Sequence, residues 1–121
     1  MRLLCADDDA DIRAILALAL AVDPAFAIRL FDSGVSLVAA AQRDGADGIL
    51  LDAMMPGQDG FETCRQLKAD AATAQIPVVF LTAAARPAER ERALALGAVA
   101  CLSKPFDPMT LARDLRAVLT P

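Results

Sequence analysis

Gly48-Ile49-Leu50-Leu51-Asp52-Ala53-Met54-Met55-Pro56-Gly57 is the stretch on which the fold turns. Three apolar residues, Ile49 to Leu51, run into a lone carboxylate, and a Met-Met-Pro-Gly breaker follows at once. A short apolar run bounded by turn signals reads as a strand buried on both faces of a parallel sheet. Asp52 then stands at the carboxyl end of that strand. In open α/β sheets ligands bind along that edge, in the crevice where the strand order reverses.

The flanking sequence repeats the pattern. Towards the N-terminus, Arg2 to Ala6 is a short apolar run that ends in Asp7-Asp8-Asp9. Ile12, Ile15, Leu16 and Ala19 share one helical face, and Asp23-Pro24 ends that helix. Phe26 to Phe31 predicts a second strand, closed by Asp32-Ser33-Gly34. Either Asp32 or Ser33 can cap the next helix, whose apolar face is Leu37, Val38 and Ala41.

Towards the C-terminus, Asp59-Gly60-Phe61-Glu62 has the spacing of a capping box, with Asp in place of Ser or Thr. Phe61, Cys64 and Leu67 form the stripe of that helix, and Asp70 to Gln75 reads as a polar loop. Pro77 to Leu81 predicts a fourth strand ended by Thr82. Pro87 starts a charged helix through Leu96, and Gly97 supplies a left-handed cap. Ala98 to Leu102 predicts a fifth strand that runs into Ser103-Lys104-Pro105. Asp107-Pro108 places an N-cap before the last helix, lined by Leu111, Leu115, Val118 and Leu119.

Five strands alternating with five helices imply parallel crossovers and a sheet covered on both faces. Right-handed connections then favour a doubly wound (βα)5 sheet of strand order 2-1-3-4-5, the flavodoxin-like arrangement, with strands one and three neighbours at the switch point. The 121 residues make a single domain over 1–121, without a repeat or low-complexity segment.

Composition narrows the function. The chain is 56% hydrophobic, which argues against disorder. No apolar run approaches the roughly 18 residues of a membrane span, and no basic, apolar leader opens the chain. A net charge of −4 argues against a nucleic-acid-binding surface. Cys5, Cys64 and Cys101 are far apart, odd in number and set in apolar runs, as expected of reduced core thiols in a cytoplasmic protein. Histidine is absent, which removes the commonest general base and zinc ligand.

The strand ends carry the chemistry. Asp7 and Asp8 follow the first strand, Asp52 ends the third, Thr82 the fourth, and Lys104 follows the fifth. On the expected topology all five converge on one edge. Two carboxylates about 4 Å apart repel by about 4 kcal/mol at an effective dielectric near 20. Asp7, Asp8 and Asp52 are therefore unfavourable together unless a cation joins them. Oxygen ligands alone suit a hard ion such as Mg²⁺ that keeps several waters. A carboxylate can accept a phosphoryl group as nucleophile, with the metal and Lys104 offsetting its charge and the Thr82 hydroxyl donating to one of its oxygens.

With those residues in place, the chain resembles the response-regulator receiver domains of two-component phosphorelays, over essentially its whole length. The motifs are Asp7-Asp8, Asp52 with Met55-Pro56 and Asp59-Gly60 after it, Thr82-Ala83, and Lys104-Pro105-Phe106. The resemblance implies that Asp52 is the phosphoacceptor and that Asp7, Asp8, Asp52 and the backbone carbonyl of Met54 hold Mg²⁺. It implies that Lys104 contacts the phosphoryl group, that Thr82 moves on activation, and that the Lys104–Pro105 bond is cis. A phosphohistidine on a partner histidine kinase or histidine phosphotransfer protein donates the group. Lacking histidine, this chain is the acceptor. The downstream target is expected to be a protein, reached without direct DNA or membrane contact.

One residue departs from the pattern. The family usually carries Phe or Tyr where Cys101 stands, so the aromatic half of the Thr82 switch is missing. Met54 and Ala84, two residues past Asp52 and Thr82, can neither activate nor position a water, which points to a longer-lived phosphoryl group. Two other functions compete. An aspartate-nucleophile phosphatase needs a second carboxylate where Met54 stands; a phosphorylation-independent pseudo-receiver usually loses an acidic or Lys residue of the site, and none is lost. The chain is expected not to be an enzyme beyond assisting its own phosphorylation and dephosphorylation. The chain is expected to be either a free-standing receiver or a fragment of a longer regulator, and the Met1 directly before the first strand leans towards the former.

Overall fold

In the computed structural model, residues 1–55, 59–83 and 86–119 are described. Pro56, Gly57 and Ala84, to which the sequence assigned roles, lie outside the described residues.

Strands β1 (Arg2–Ala6), β2 (Ala27–Phe31), β3 (Gly48–Asp52), β4 (Val78–Thr82) and β5 (Ala100–Ser103) form one sheet. All pairings are parallel, in the order β2-β1-β3-β4-β5. Helices α1 (Ala10–Ala21), α2 (Gly34–Asp44), α3 (Gly60–Ala69) and α4 (Pro87–Ala95) connect them, and α5 (Leu111–Leu119) follows the last strand. This is the doubly wound, flavodoxin-like α/β fold the alternation implied.

The strand period of two separates the core into two layers. Leu4, Ala6, Ile49, Leu51, Val78 and Phe80 pack with residues of α2, α3 and α4. Leu3, Cys5, Leu50, Val79 and Leu81 pack with α1 and α5. The central strands β3 and β4 are buried along their whole length, which is why they read as unbroken apolar runs. Each fully buried Leu or Ile contributes about 1.5–3 kcal/mol. No helix among the described residues is long and apolar enough to cross a membrane.

Several boundaries differ from the sequence reading, for local reasons. Phe26 belongs to the turn after α1, its N–H bonded to Asp23 O, so β2 starts one residue late. Ala98 completes the cap of α4 through Ala93 O, with Gly97 at φ +98°, and β5 starts at Ala100. Asp107 does cap a turn, accepting from Met109 N–H, but α5 proper begins only at Leu111. Ser33 rather than Asp32 caps α2. Asp59 caps α3 through Glu62 N–H, while the Glu62 side chain turns outward to Arg65. On α1 the buried face is Leu16, Ala19 and Leu20, and Ile15 is left 39% exposed.

Candidate functional site: an acidic cluster at the switch point

Register builds the site. Ala6 pairs with Leu51 across β1 and β3, so the next residues, Asp7 and Asp52, leave the sheet side by side. Asp52 pairs with Leu81, and Thr82 with Ser103, which sets Thr82 and Lys104 on the same edge. Gly60 N–H bonds Ala53 O at 3.0 Å and tucks the start of α3 under the end of β3.

Carboxylate oxygens of Asp7, Asp8 and Asp52 lie within 4.8 Å of one another. Asp7 and Asp52 are buried and Asp8 is exposed. Lys104 Nζ is 2.8 Å from Asp7 Oδ2 and 3.3 Å from Asp52 Oδ2. Asp7 Oδ1 accepts from Asp9 N–H at 2.9 Å, and Asp52 Oδ1 from Met54 N–H at 3.2 Å. The Lys104–Pro105 bond is cis. Thr82 is buried at the end of β4, and its carbonyl accepts from Lys104 N–H at 2.8 Å. Cys101 is buried on β5 in the layer that holds Phe61 and Phe80. All three cysteines are free.

Burial raises the Asp52 pKa above its ordinary range, aided by the negative charge of Asp7 and opposed by Met54 N–H and Lys104. Burial alone lowers the Lys104 ammonium, but Asp7 and Asp52 outweigh it and the net shift is upward. The donors are all carboxylate oxygens, with neither imidazole nor thiolate among them, so the cluster fits a hard divalent cation.

One nearby residue escaped the sequence reading. Arg13 of α1 reaches back to the end of β1, its Nη1 donating to the Asp7 carbonyl at 2.8 Å. Its position one helical turn beyond the acidic triplet was the available signal, but its partner is a backbone atom that no side-chain motif reveals.

Known proteins resemble this chain in sequence and fold. The family profile for the response regulator receiver domain matches residues 3–116. The chain is 46% identical over 85 residues to the response regulator PleD of Caulobacter vibrioides, covering 70% of this chain and 19% of that one. It is 37% identical over 119 residues to the response regulator MprA of Mycobacterium leprae, covering 98% of this chain and 51% of that one. It thus spans about half, or less, of the length of these relatives.

Among solved structures, the chemotaxis protein CheY4 of Vibrio cholerae aligns with a TM-score of 0.89 at 30% identity, over 97% of both chains. The receiver domain of the sensor histidine kinase PA1611 of Pseudomonas aeruginosa, whose structure has a magnesium ion coordinated in the active site cleft, aligns with a TM-score of 0.87 at 28% identity. That alignment covers 99% of this chain and 98% of the other. Sheet order, acidic cluster and sequence agree, and the chain belongs to the response regulator receiver domain family.

Proposed function

We propose that the chain is the phosphoacceptor of a two-component phosphorelay, with Asp52 as its nucleophile. The observation behind this reading is that three carboxylates meet within 4.8 Å while the Lys104 ammonium reaches two of them. A carboxylate oxygen of Asp52 attacks the phosphorus of a partner's phosphohistidine. The new O–P bond forms as the N–P bond breaks, and the imidazole leaves with its electron pair. The partner is a histidine kinase or a histidine phosphotransfer protein. Apolar surface for it lies beside Lys104, where Ile12, Ile15, Ala83, Pro105 and Phe106 line a groove.

Asp7, Asp8, Asp52 and the Met54 carbonyl hold Mg²⁺, which when bound offsets charge on the phosphoryl oxygens. The magnesium ion in the active site cleft of the PA1611 receiver supports this choice of cation. Lys104 contacts the phosphoryl group and the Thr82 hydroxyl donates to it. Thr82 and Cys101 are the switch positions, and a change in protein–protein contacts is the output. The net charge of −4 argues against DNA binding by this region itself, although relatives about twice as long include transcriptional regulatory proteins. The chain acts as a signalling module that assists only its own phosphorylation and dephosphorylation. Met54, 71% exposed beside the acceptor, carries neither acid nor amide to direct a water, which favours a long-lived acyl phosphate over phosphatase turnover.

Incubation with Mg²⁺ and acetyl phosphate tests the reading. Intact-mass spectrometry is expected to show one added phosphoryl group, labile to hydroxylamine, and none in Asp52→Asn or Asp52→Ala. An undiminished adduct in Asp52→Ala removes Asp52 as nucleophile. A wild type that never gains the group leaves the pseudo-receiver reading.

A further inference from the structure

Asp7 and Asp8 are neighbours in sequence but are held very differently. Asp7 N–H bonds Phe31 O at 3.1 Å, its Oδ1 accepts from Asp9 N–H, and its Oδ2 accepts from Lys104. Asp8 is exposed, and among the described residues no donor reaches its carboxylate. The direction in which the Asp8 side chain leaves the backbone is therefore governed by its two flanking peptide planes: the following one is held by the Asp9 N–H bond to Asp7 Oδ1, which leaves the plane that precedes it. That plane contains the Asp7 carbonyl, and the charged group bound to the carbonyl is the Arg13 guanidinium, at 2.8 Å.

We propose that Arg13 is a positioning residue for the cation site: by fixing the Asp7–Asp8 peptide it keeps the Asp8 carboxylate aimed at Asp7 and Asp52. The inference rests on the reading of these three carboxylates as a Mg²⁺ site. A charge-assisted hydrogen bond is stronger than a neutral one, and partners that orient ligands govern metal affinity without touching the metal. Simple anchoring of α1 does not account for the bond. That helix already has its N-cap, Asp9, which accepts from Asp11 and Ile12 N–H, and it buries Leu16, Ala19 and Leu20. Half-buried Arg13 instead directs its charged end at the loop that carries the ligands.

Calorimetric titration with Mg²⁺ tests this, alongside melting in EDTA. Arg13→Met keeps the apolar stem and loses the donor. It is expected to weaken Mg²⁺ binding about tenfold, while lowering the EDTA melting temperature by no more than about 4 °C. Arg13→Lys, which restores a charged donor, is expected to recover most of the affinity. Because Arg13 acts through Asp8, Arg13→Met added to Asp8→Asn is expected to cost little more than Asp8→Asn alone. Unchanged affinity in Arg13→Met with a large drop in melting temperature makes Arg13 a mere tether and overturns the proposal. So do additive losses in the double variant. A wild type that binds no Mg²⁺ is a separate result, visible without any variant, and removes the cation reading together with this one.

Discussion

Lys104 Nζ and Asp7 Oδ2 stand 2.8 Å apart across the strand-order reversal, 97 residues apart in the chain. The same ammonium lies 3.3 Å from Asp52, so it offsets repulsion between two buried carboxylates. A divalent cation held as proposed would serve the same pair, so ammonium and metal would share their partners. At a hundredfold excess over its dissociation constant, Mg²⁺ is expected to stabilise the wild type by about 2.7 kcal/mol. Lys104→Ala is expected to destabilise the metal-free protein by about 1–3 kcal/mol, below the full cost of breaking a buried pair because Lys104 is partly solvated. The Mg²⁺ increment in that variant is expected to exceed that of wild type. Denaturant unfolding in EDTA and in Mg²⁺ measures both, and equal increments mean that the two cations do not compete.

Gly60 fixes how closely α3 approaches the end of β3. A Cβ there collides with the carbonyl oxygen of Asp52 and lies 3.0 Å from Ala53 Cα, both backbone atoms that cannot rotate away. Gly60→Ala is expected to cost about 2 kcal/mol or more, because relief requires the helix or the strand end to move. It is also expected to slow phosphorylation from acetyl phosphate when the folded protein is compared. Full stability and an unchanged rate mean that the α3 junction yields freely.

The architecture was legible because each layer of the sequence agreed with the next. Unbroken apolar runs such as Ile49-Leu50-Leu51 mark strands covered on both faces, and the residues after those runs must share an edge once every crossover is right-handed. That is how Asp7 and Lys104 could be brought together without a contact to read. Boundaries were less legible because cap and strand chemistry overlap there. Ala98 and Phe26 are apolar enough for a strand yet are taken by turns, and Asp32 and Ser33 are both competent caps until backbone geometry selects one. Arg13 was invisible for another reason: its partner is a carbonyl, and sequence patterns report side chains.

Cys5 gives a pH dependence of known sign. Complete burial pushes its thiol pKa from 9.0 up to about 12. In the unfolded chain the thiol ionises near pH 9, whereas in the fold it stays neutral. Its contribution to stability is therefore fully present below pH 9 and lost as pH rises towards 12. The loss is at most about 1.4 kcal/mol per pH unit. Between pH 9 and 11, stability is expected to fall more steeply in wild type than in Cys5→Ala, and iodoacetamide is expected to spare Cys5 until the chain unfolds. Parallel pH profiles, or rapid labelling of native protein, contradict this.

The output face poses the last test. Cys101 is already 5% exposed and packed in the layer that holds Phe61, Phe80 and Ala93, so it has no inward movement left to make. A ring swinging between solvent and core carries about 1.5–3 kcal/mol of burial, and a thiol far less. A ligand shifts an equilibrium only by its differential affinity for the two states. With so little free energy attached to Cys101, phosphorylation is expected to displace Thr82 and the segment leading to Pro87 while leaving β5 nearly in place. Amide shifts with and without beryllofluoride, a phosphoryl mimic, measure this directly. Changes are expected to be largest around Asp52 and Thr82 and small from Ala100 to Ser103 and along α5. Shifts in β5 and α5 as large as those around Asp52 mean that coupling to the output face survives without an aromatic ring.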